Sequence, residues 1–208
     1  MQPTMNKADQ AFFKNIVDGD WVEFCDNLYE LLTMLLLDAR TPLKRVRKVA
    51  KGLKEQECLD FRTLHSMDTE FITALLKDLS YPWNRQKAKL FAQKLPFKSE
   101  QELFDATYEQ IDAIKGIGPK LASLWMRIVH DEDRPVIDTH VYRWLTEERG
   151  YDVPLAKYDV LSELMRREAE MRNVSVQELD RILVSNGISK RQHLPMLPVP
   201  PISREASS

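Results

Sequence analysis

From Trp21 the apolar residues of this chain step by three and four positions: Trp21, Phe24, Cys25, Leu28, Leu31, Leu32 and Leu35. Residues so spaced share one face of a 3.6-residue turn and cannot line one face of a strand, whose side chains alternate. The spacing recurs through most of the 208 residues, β-branched runs are short and there are only six glycines, so the expected fold is all-α. The first stripe predicts a helix over 20–37. Thr41-Pro42 opens a second over 43–53, because proline is tolerated in a first helical turn. Its inner face is Val46, Val49, Ala50 and Leu53; Lys44, Arg45, Arg47, Lys48 and Lys51 occupy the remainder, with no acidic residue.

Asp68 begins a third helix with Phe71, Ile72, Leu75 and Leu76 inward, and Asn84 or Arg85 a fourth with Ala88, Phe91, Ala92 and Leu95 inward. Ser99, with Glu102 at the capping-box position, starts the turn carrying Leu103 and Phe104. Thr107 caps a short helix holding Ile111 and Ile114. After Asp138 the stripe resumes with Val141, Trp144 and Leu145, breaks at Gly150, and continues through Leu161, Leu164, Met165, Leu179, Ile182 and Leu183. From Pro195 the proline-rich end reads as a loose tail.

A hydrophobic content of 43% suffices for a core, while a net charge of −2 excludes a uniformly basic surface and leaves room only for local basic patches. Cys25 and Cys58 stand far apart without His or Cys at metal-ligand spacing, so neither a disulfide framework nor a zinc or iron–sulfur site is encoded; buried thiols in a reducing compartment are expected. The N-terminus lacks a signal pattern, and the run Met34-Leu35-Leu36-Leu37 is far short of the ~20 residues that span a bilayer. We expect a soluble intracellular monomer with no membrane partner.

The stretch Ile114-Lys115-Gly116-Ile117-Gly118-Pro119-Lys120 carries the chemistry. Gly116 and Gly118 suit a tight turn that needs positive φ or close backbone approach, and Pro119 has its φ preset for a first helical position. A helix therefore begins at Pro119 or Lys120, with Leu121, Leu124, Trp125, Ile128 and Val129 inward and Lys120 at the edge of that stripe. Such a turn presents backbone N–H groups to an anion, phosphate being the usual guest. Further on, Pro135-Val136-Ile137-Asp138-Thr139-His140 delivers Asp138 to the N-cap of another helix.

The hairpin followed by Val136-Ile137-Asp138-Thr139-His140 resembles, in order and spacing, the endonuclease III superfamily of helix-hairpin-helix DNA glycosylases. Leu36-Leu37-Asp38-Ala39-Arg40-Thr41 is similar to that family's early Leu-Leu-Ser-Ala-Gln/Arg-Thr segment, and Asn84-Arg85-Gln86-Lys87-Ala88 to its Lys-Ala helix start. The resemblance implies a two-lobed all-α fold: a helical lobe over 22–132 with the helix-hairpin-helix at about 108–130, a second lobe from 1–21 plus 133–194, a tail over 195–208, and a DNA cleft between the lobes. It implies a bifunctional base-excision enzyme on double-stranded DNA. Lys120 attacks the sugar C1′ as the damaged base leaves, and the resulting iminium permits β-elimination of the 3′ phosphate. Only a neutral amine attacks, so its surroundings must allow the loss of a proton. Asp138 stabilises oxocarbenium charge and assists proton transfer.

The family places a wedge residue at Arg40, for a duplex whose flipped nucleotide leaves a hole; a surface arginine is the alternative. The amides at Gly116 and Gly118 would hold a phosphate, with a monovalent cation bridging through hairpin carbonyls. Lys44, Arg85 and Lys87, with their basic neighbours, would attract the backbone, or else form a solvated face. His140 would orient Asp138, touch phosphate, or merely support its helix. With no cysteine after Cys58, the four-cysteine iron–sulfur loop of many homologues is absent, and the outline is nearer to archaeal-type 8-oxoguanine glycosylases. Oxidised pyrimidine and 8-oxoguanine both remain open as substrates. A monofunctional glycosylase in which Asp138 activates water, and a non-catalytic DNA-binding hairpin, are the rival readings.

Overall fold

A computed structural model describes residues 25–38 and 41–188, with side chains described as far as Leu183. Residues 1–24, including Trp21 and the first lobe segment over 1–21, lie outside the described residues, as do Arg40 and the tail. The described residues form eleven α-helices and one π-helical turn. They divide into two compact units between Glu132 and Asp133.

The first unit is built on α1 (Leu28–Asp38). Asn27 Oδ1 accepts from the Glu30 amide at 3.0 Å, and the Glu30 carboxylate accepts from the Asp26 amide at 2.7 Å, so the helix starts at Leu28 rather than earlier in the apolar stripe. All eleven of its residues are buried. The sequence shows one apolar stripe, yet a helix enclosed on all sides is a core helix. Its neighbours are α2 (Leu43–Glu55), α3 (Phe61–His65), α5 (Asn84–Phe91) and α6 (Glu100–Phe104). Helix α3 carries no stripe long enough to read; Asp60 caps it by accepting from the Arg62 amide.

Asp68 caps α4 (Thr69–Asp78) as the pattern requires, and α4 packs on α5. Phe71 departs from its expected inward position and is 57% exposed, and Ala92 is likewise exposed, just past the end of α5. Ser99 accepts from the Glu102 amide, but Glu102 reaches back to the Lys98 amide, one residue before the position a capping box would use. The full box forms instead at α7 (Tyr108–Asp112), where Thr107 and Gln110 cap each other's amides. Helix α8 (Pro119–His130) begins at Pro119 and buries Leu121 through Val129, including Trp125.

The second unit holds α9 (Thr139–Arg143), the π-turn (Trp144–Glu148), α10 (Tyr158–Met171) and α11 (Val176–Ile188) around Val141, Trp144, Leu145, Leu161, Met165 and Leu179. Glu168, fully buried, accepts from Arg149 Nε at 2.7 Å and Tyr151 Oη at 2.8 Å, and pairs with Arg172. Asp133 accepts from the amides of Val176 and Gln177, satisfying the first turn of α11 from a distant part of the chain.

Candidate active site

The hairpin between α7 and α8 is held by its own backbone and by one side chain. The Ile117 amide donates to Ile114 O at 2.9 Å, and Gln93 Nε2 donates to Lys115 O at 2.9 Å. Gly116 adopts φ +94°, and a Cβ there would lie 2.5 Å from Leu90 Cδ1 and 3.1 Å from Leu36 Cδ2. This glycine is required twice over, by conformation and by packing. Gly118 differs from the expectation drawn for both: its φ of −134° suits any residue, and a Cβ there would meet nothing within 4 Å. Gly118 therefore serves openness. No side chain caps α8 at Gly118, so the first free amides of the helix face outward beside an unobstructed Cα, the arrangement a phosphate uses.

Lys120 follows Pro119 in the first turn and is 40% exposed. Its Nζ donates to Asp38 Oδ2 at 2.8 Å, and Asp38 is buried at the C-terminal end of α1. Sequence reasoning missed this partner. The signal was present in the segment Leu36–Thr41, where aspartate stands at the position of the family's serine.

The end of α1 is fastened from three sides. Lys87 Nζ donates to Leu36 O, Tyr81 Oη donates to Leu37 O at 2.6 Å, and the Thr41 amide donates to Asp38 O at 2.8 Å. Burial pushes the Tyr81 hydroxyl up to about 12; the bond with Thr41 works against that and the Asp38 charge adds to it. Lys87, expected on the DNA-facing surface, is corrected by this geometry: it is 5% exposed and its ammonium satisfies an orphan helix carbonyl.

In the second unit, Asp138 caps α9 as the sequence suggests. Its Oδ1 accepts from the His140 amide at 2.8 Å and the Val141 amide at 2.9 Å, which leaves Oδ2 outside the cap. The approach to it is braced by Tyr158, whose hydroxyl accepts from the Ile137 amide at 3.0 Å and donates to Pro135 O at 3.2 Å. His140 contributes its amide to that cap and is itself exposed.

Lys44, Arg45 and Lys48 on α2 are exposed, as are Arg85 and Lys89 on α5, and no acidic side chain pairs with these five among the described residues. Neither helix has an acidic residue in its first turn, where one would suit the dipole. Both helices instead raise positive potential at that end, a weakly destabilising choice that attracts anions. Lys51 pairs with Glu55 at 3.9 Å. The monovalent cation implied by the resemblance would be held by hairpin carbonyls, and those of Ile114, Lys115 and Gly118 each accept one hydrogen bond and keep a second lone pair. Among the described residues no group of three or more His, Cys, Asp or Glu is placed to hold a metal, and no helix is long and apolar enough to cross a membrane.

The described residues are helical, with a phosphate-type hairpin opening onto a lysine and a helix-capping aspartate further along the sequence, and they have the fold of the helix-hairpin-helix DNA glycosylases. Its sequence is 28% identical over 190 residues to the 8-oxoguanine DNA glycosylase/AP lyase of Methanocaldococcus jannaschii, with 85% of each chain covered. The crystal structure of the Methanocaldococcus jannaschii 8-oxoguanine glycosylase/lyase with a 15mer DNA containing 8-oxoguanine matches with a TM-score of 0.65 at 21% identity, covering 87% of this chain and 88% of that one. The 8-oxoguanine DNA glycosylase of Thermotoga maritima matches at 0.61 and 19% identity, covering 86% and 85%. The H. pylori 3-methyladenine DNA glycosylase bound to 1,N6-ethenoadenine matches at 0.62 and 16%, covering 89% and 95%. No family model matches the sequence.

Proposed function

We propose that this protein is a bifunctional DNA glycosylase/AP lyase of base excision repair, acting on duplex DNA that carries an oxidised base, with 8-oxoguanine the first substrate to test. The observation that carries the reading is Lys120: a half-exposed amine in the first turn of the helix that follows a phosphate-type hairpin, beside open space at Gly118. The activity of the Methanocaldococcus jannaschii relative supports the same assignment.

In this reading the hairpin amides hold a phosphate and the exposed cations of α2 and α5 supply sequence-independent attraction. The Lys120 amine forms a bond to C1′ while the glycosidic bond breaks and its electron pair leaves with the base. Transfer of a proton from nitrogen to O4′ with cleavage of the C1′–O4′ bond turns this adduct into an iminium, which acidifies C2′, and loss of that proton expels the 3′ phosphate. Asp138 keeps a carboxylate oxygen outside its cap, available to stabilise positive charge at the sugar. Borohydride added during reaction with abasic duplex is expected to trap a covalent adduct that disappears in Lys120→Ala. A wild-type protein that yields no adduct overturns the lyase assignment, and base release without strand nicking would establish the monofunctional alternative.

A further inference from the structure

Resting on the lysine chemistry just described, we infer that Asp38 is the positioning residue for Lys120 and receives the proton that its ammonium must lose. Four observations support it. Asp38 Oδ2 lies 2.8 Å from Nζ, and it is the only acceptor that Lys120 meets among the described residues. The pair joins positions far apart in sequence, so it is tertiary structure and not an accident of neighbouring side chains. The carboxylate is buried while the lysine is 40% exposed, which puts the fixed member on the protein side and the mobile, reactive member towards the outside.

The fourth observation is the fastening of the α1 terminus. Lys87, Tyr81 and the Thr41 amide engage the carbonyls of Leu36, Leu37 and Asp38 in turn, so the backbone that carries the carboxylate has little freedom to withdraw. A flexible four-carbon lysine gains a defined direction from such an anchor, and orientation of a nucleophile is worth a large part of a rate enhancement. Asp138 is itself fixed as the cap of α9 through Oδ1.

The step balances as follows. One proton passes from Lys120 Nζ to Asp38 Oδ2, leaving a neutral amine and a neutral carboxylic acid. The freed lone pair forms the N–C1′ bond as the C1′–base bond breaks; the base departs with that bond's electron pair and takes up a proton on release. That adduct opens its C1′–O4′ bond, O4′ taking a proton from nitrogen, to give the iminium; at a preformed abasic site the same amine adds to the C1′ aldehyde, the Asp38 carboxylic acid gives its proton to the departing oxygen, and water leaves, giving the same iminium.

The test uses the full chain in excess over a duplex with one abasic site, reading the rate of borohydride-trapped adduct and, separately, the dissociation constant for the duplex. Asp38→Asn keeps the shape and one acceptor but takes no proton; it is expected to slow adduct formation about tenfold or more, within the range general acid–base catalysis supplies, while leaving the dissociation constant unchanged. Asp38→Ser, which restores the residue common at this position in the resembled family, is the second variant, should the asparagine fail to fold, and the same loss is expected. Adduct formation as fast as wild type, or faster, in either folded variant overturns the inference, because the carboxylate then only holds the amine protonated. Weaker DNA binding with an unchanged adduct rate overturns it too. Lys120→Ala is the control that separates the two readings: an adduct present in wild type and absent in Lys120→Ala sustains the lyase whatever Asp38→Asn does, whereas no wild-type adduct overturns both.

Discussion

The two hairpin glycines predict opposite phenotypes. Gly116→Ala forces a side chain into φ +94° and sets a methyl group 2.5 Å from Leu90 Cδ1 and 3.1 Å from Leu36 Cδ2. The left-handed conformation costs about 1–2 kcal/mol for a residue with a Cβ. Overpacking adds about 1–3 kcal/mol, and Leu36, fully buried in α1, has little space into which to yield. The expected loss is about 2–5 kcal/mol of unfolding free energy, larger than most single substitutions produce. Gly118→Ala meets neither penalty, so its stability is expected to change by less than about 0.5 kcal/mol, as at an ordinary surface site. Its methyl group instead occupies the open space beside the first amides of α8, and affinity for an abasic-analogue duplex is expected to fall about tenfold, equivalent to roughly 1.4 kcal/mol. Urea unfolding followed by circular dichroism, with anisotropy titrations on the same preparations, measures both quantities. Gly116→Ala as stable as wild type, or Gly118→Ala destabilised as much as Gly116→Ala, would refute the division of roles between the two glycines.

Lys87→Met keeps the buried stem and removes the donor to Leu36 O; it is expected to lose about 1–3 kcal/mol of stability by urea titration while leaving the salt dependence of DNA binding intact. Arg85→Ala and Lys44→Ala, both at exposed positions, are expected to do the reverse, each lowering the slope of log affinity against log salt by about 1. At high pH, Tyr81 and Tyr151 oppose unfolding less as the unfolded chain ionises first. Burial raises both hydroxyls from 10 to about 12, aided at Tyr151 by Glu168, so their contribution is complete below about pH 10 and is lost as pH rises through about 12. Unfolding monitored from pH 9 to 12 should show that loss, and Tyr81→Phe and Tyr151→Phe should each flatten it.

What the sequence made legible was local. The caps at Asp68, Ser99, Thr107 and Asp138 and the start at Pro119 depend on residues a few positions apart, and each is found where its pattern lies. The enclosure of α1 was not legible, because one face carries the readable stripe and the burial of Glu30, Thr33 and Asp38 depends on what other helices bring to the opposite face. Lys87 misled for the same reason: a lysine among Arg85 and Lys89 reads as solvated until α1 supplies a carbonyl to bond it. The pairing of Asp38 with Lys120 spans most of the first unit, and no periodicity connects the two. Its trace was a departure from the family's residue type, visible only once the resemblance gave a type to depart from.

That departure is costly on local physics, which is why it carries meaning. A carboxylate at a helix C-terminus faces the negative end of the dipole, and burying it adds a desolvation penalty. A serine there would incur neither. The chain offsets the cost with the Lys120 ion pair and with the ammonium of Lys87, which engages the α1 carbonyl at Leu36 and brings a second positive charge to the same end of the helix. Since Lys87 is itself nearly inaccessible to solvent, two buried charges are maintained at one helix terminus. Conflicts between local preference and tertiary structure concentrate where function requires them. Here the conflict ends at the single exposed amine of the set, and that amine is the proposed nucleophile.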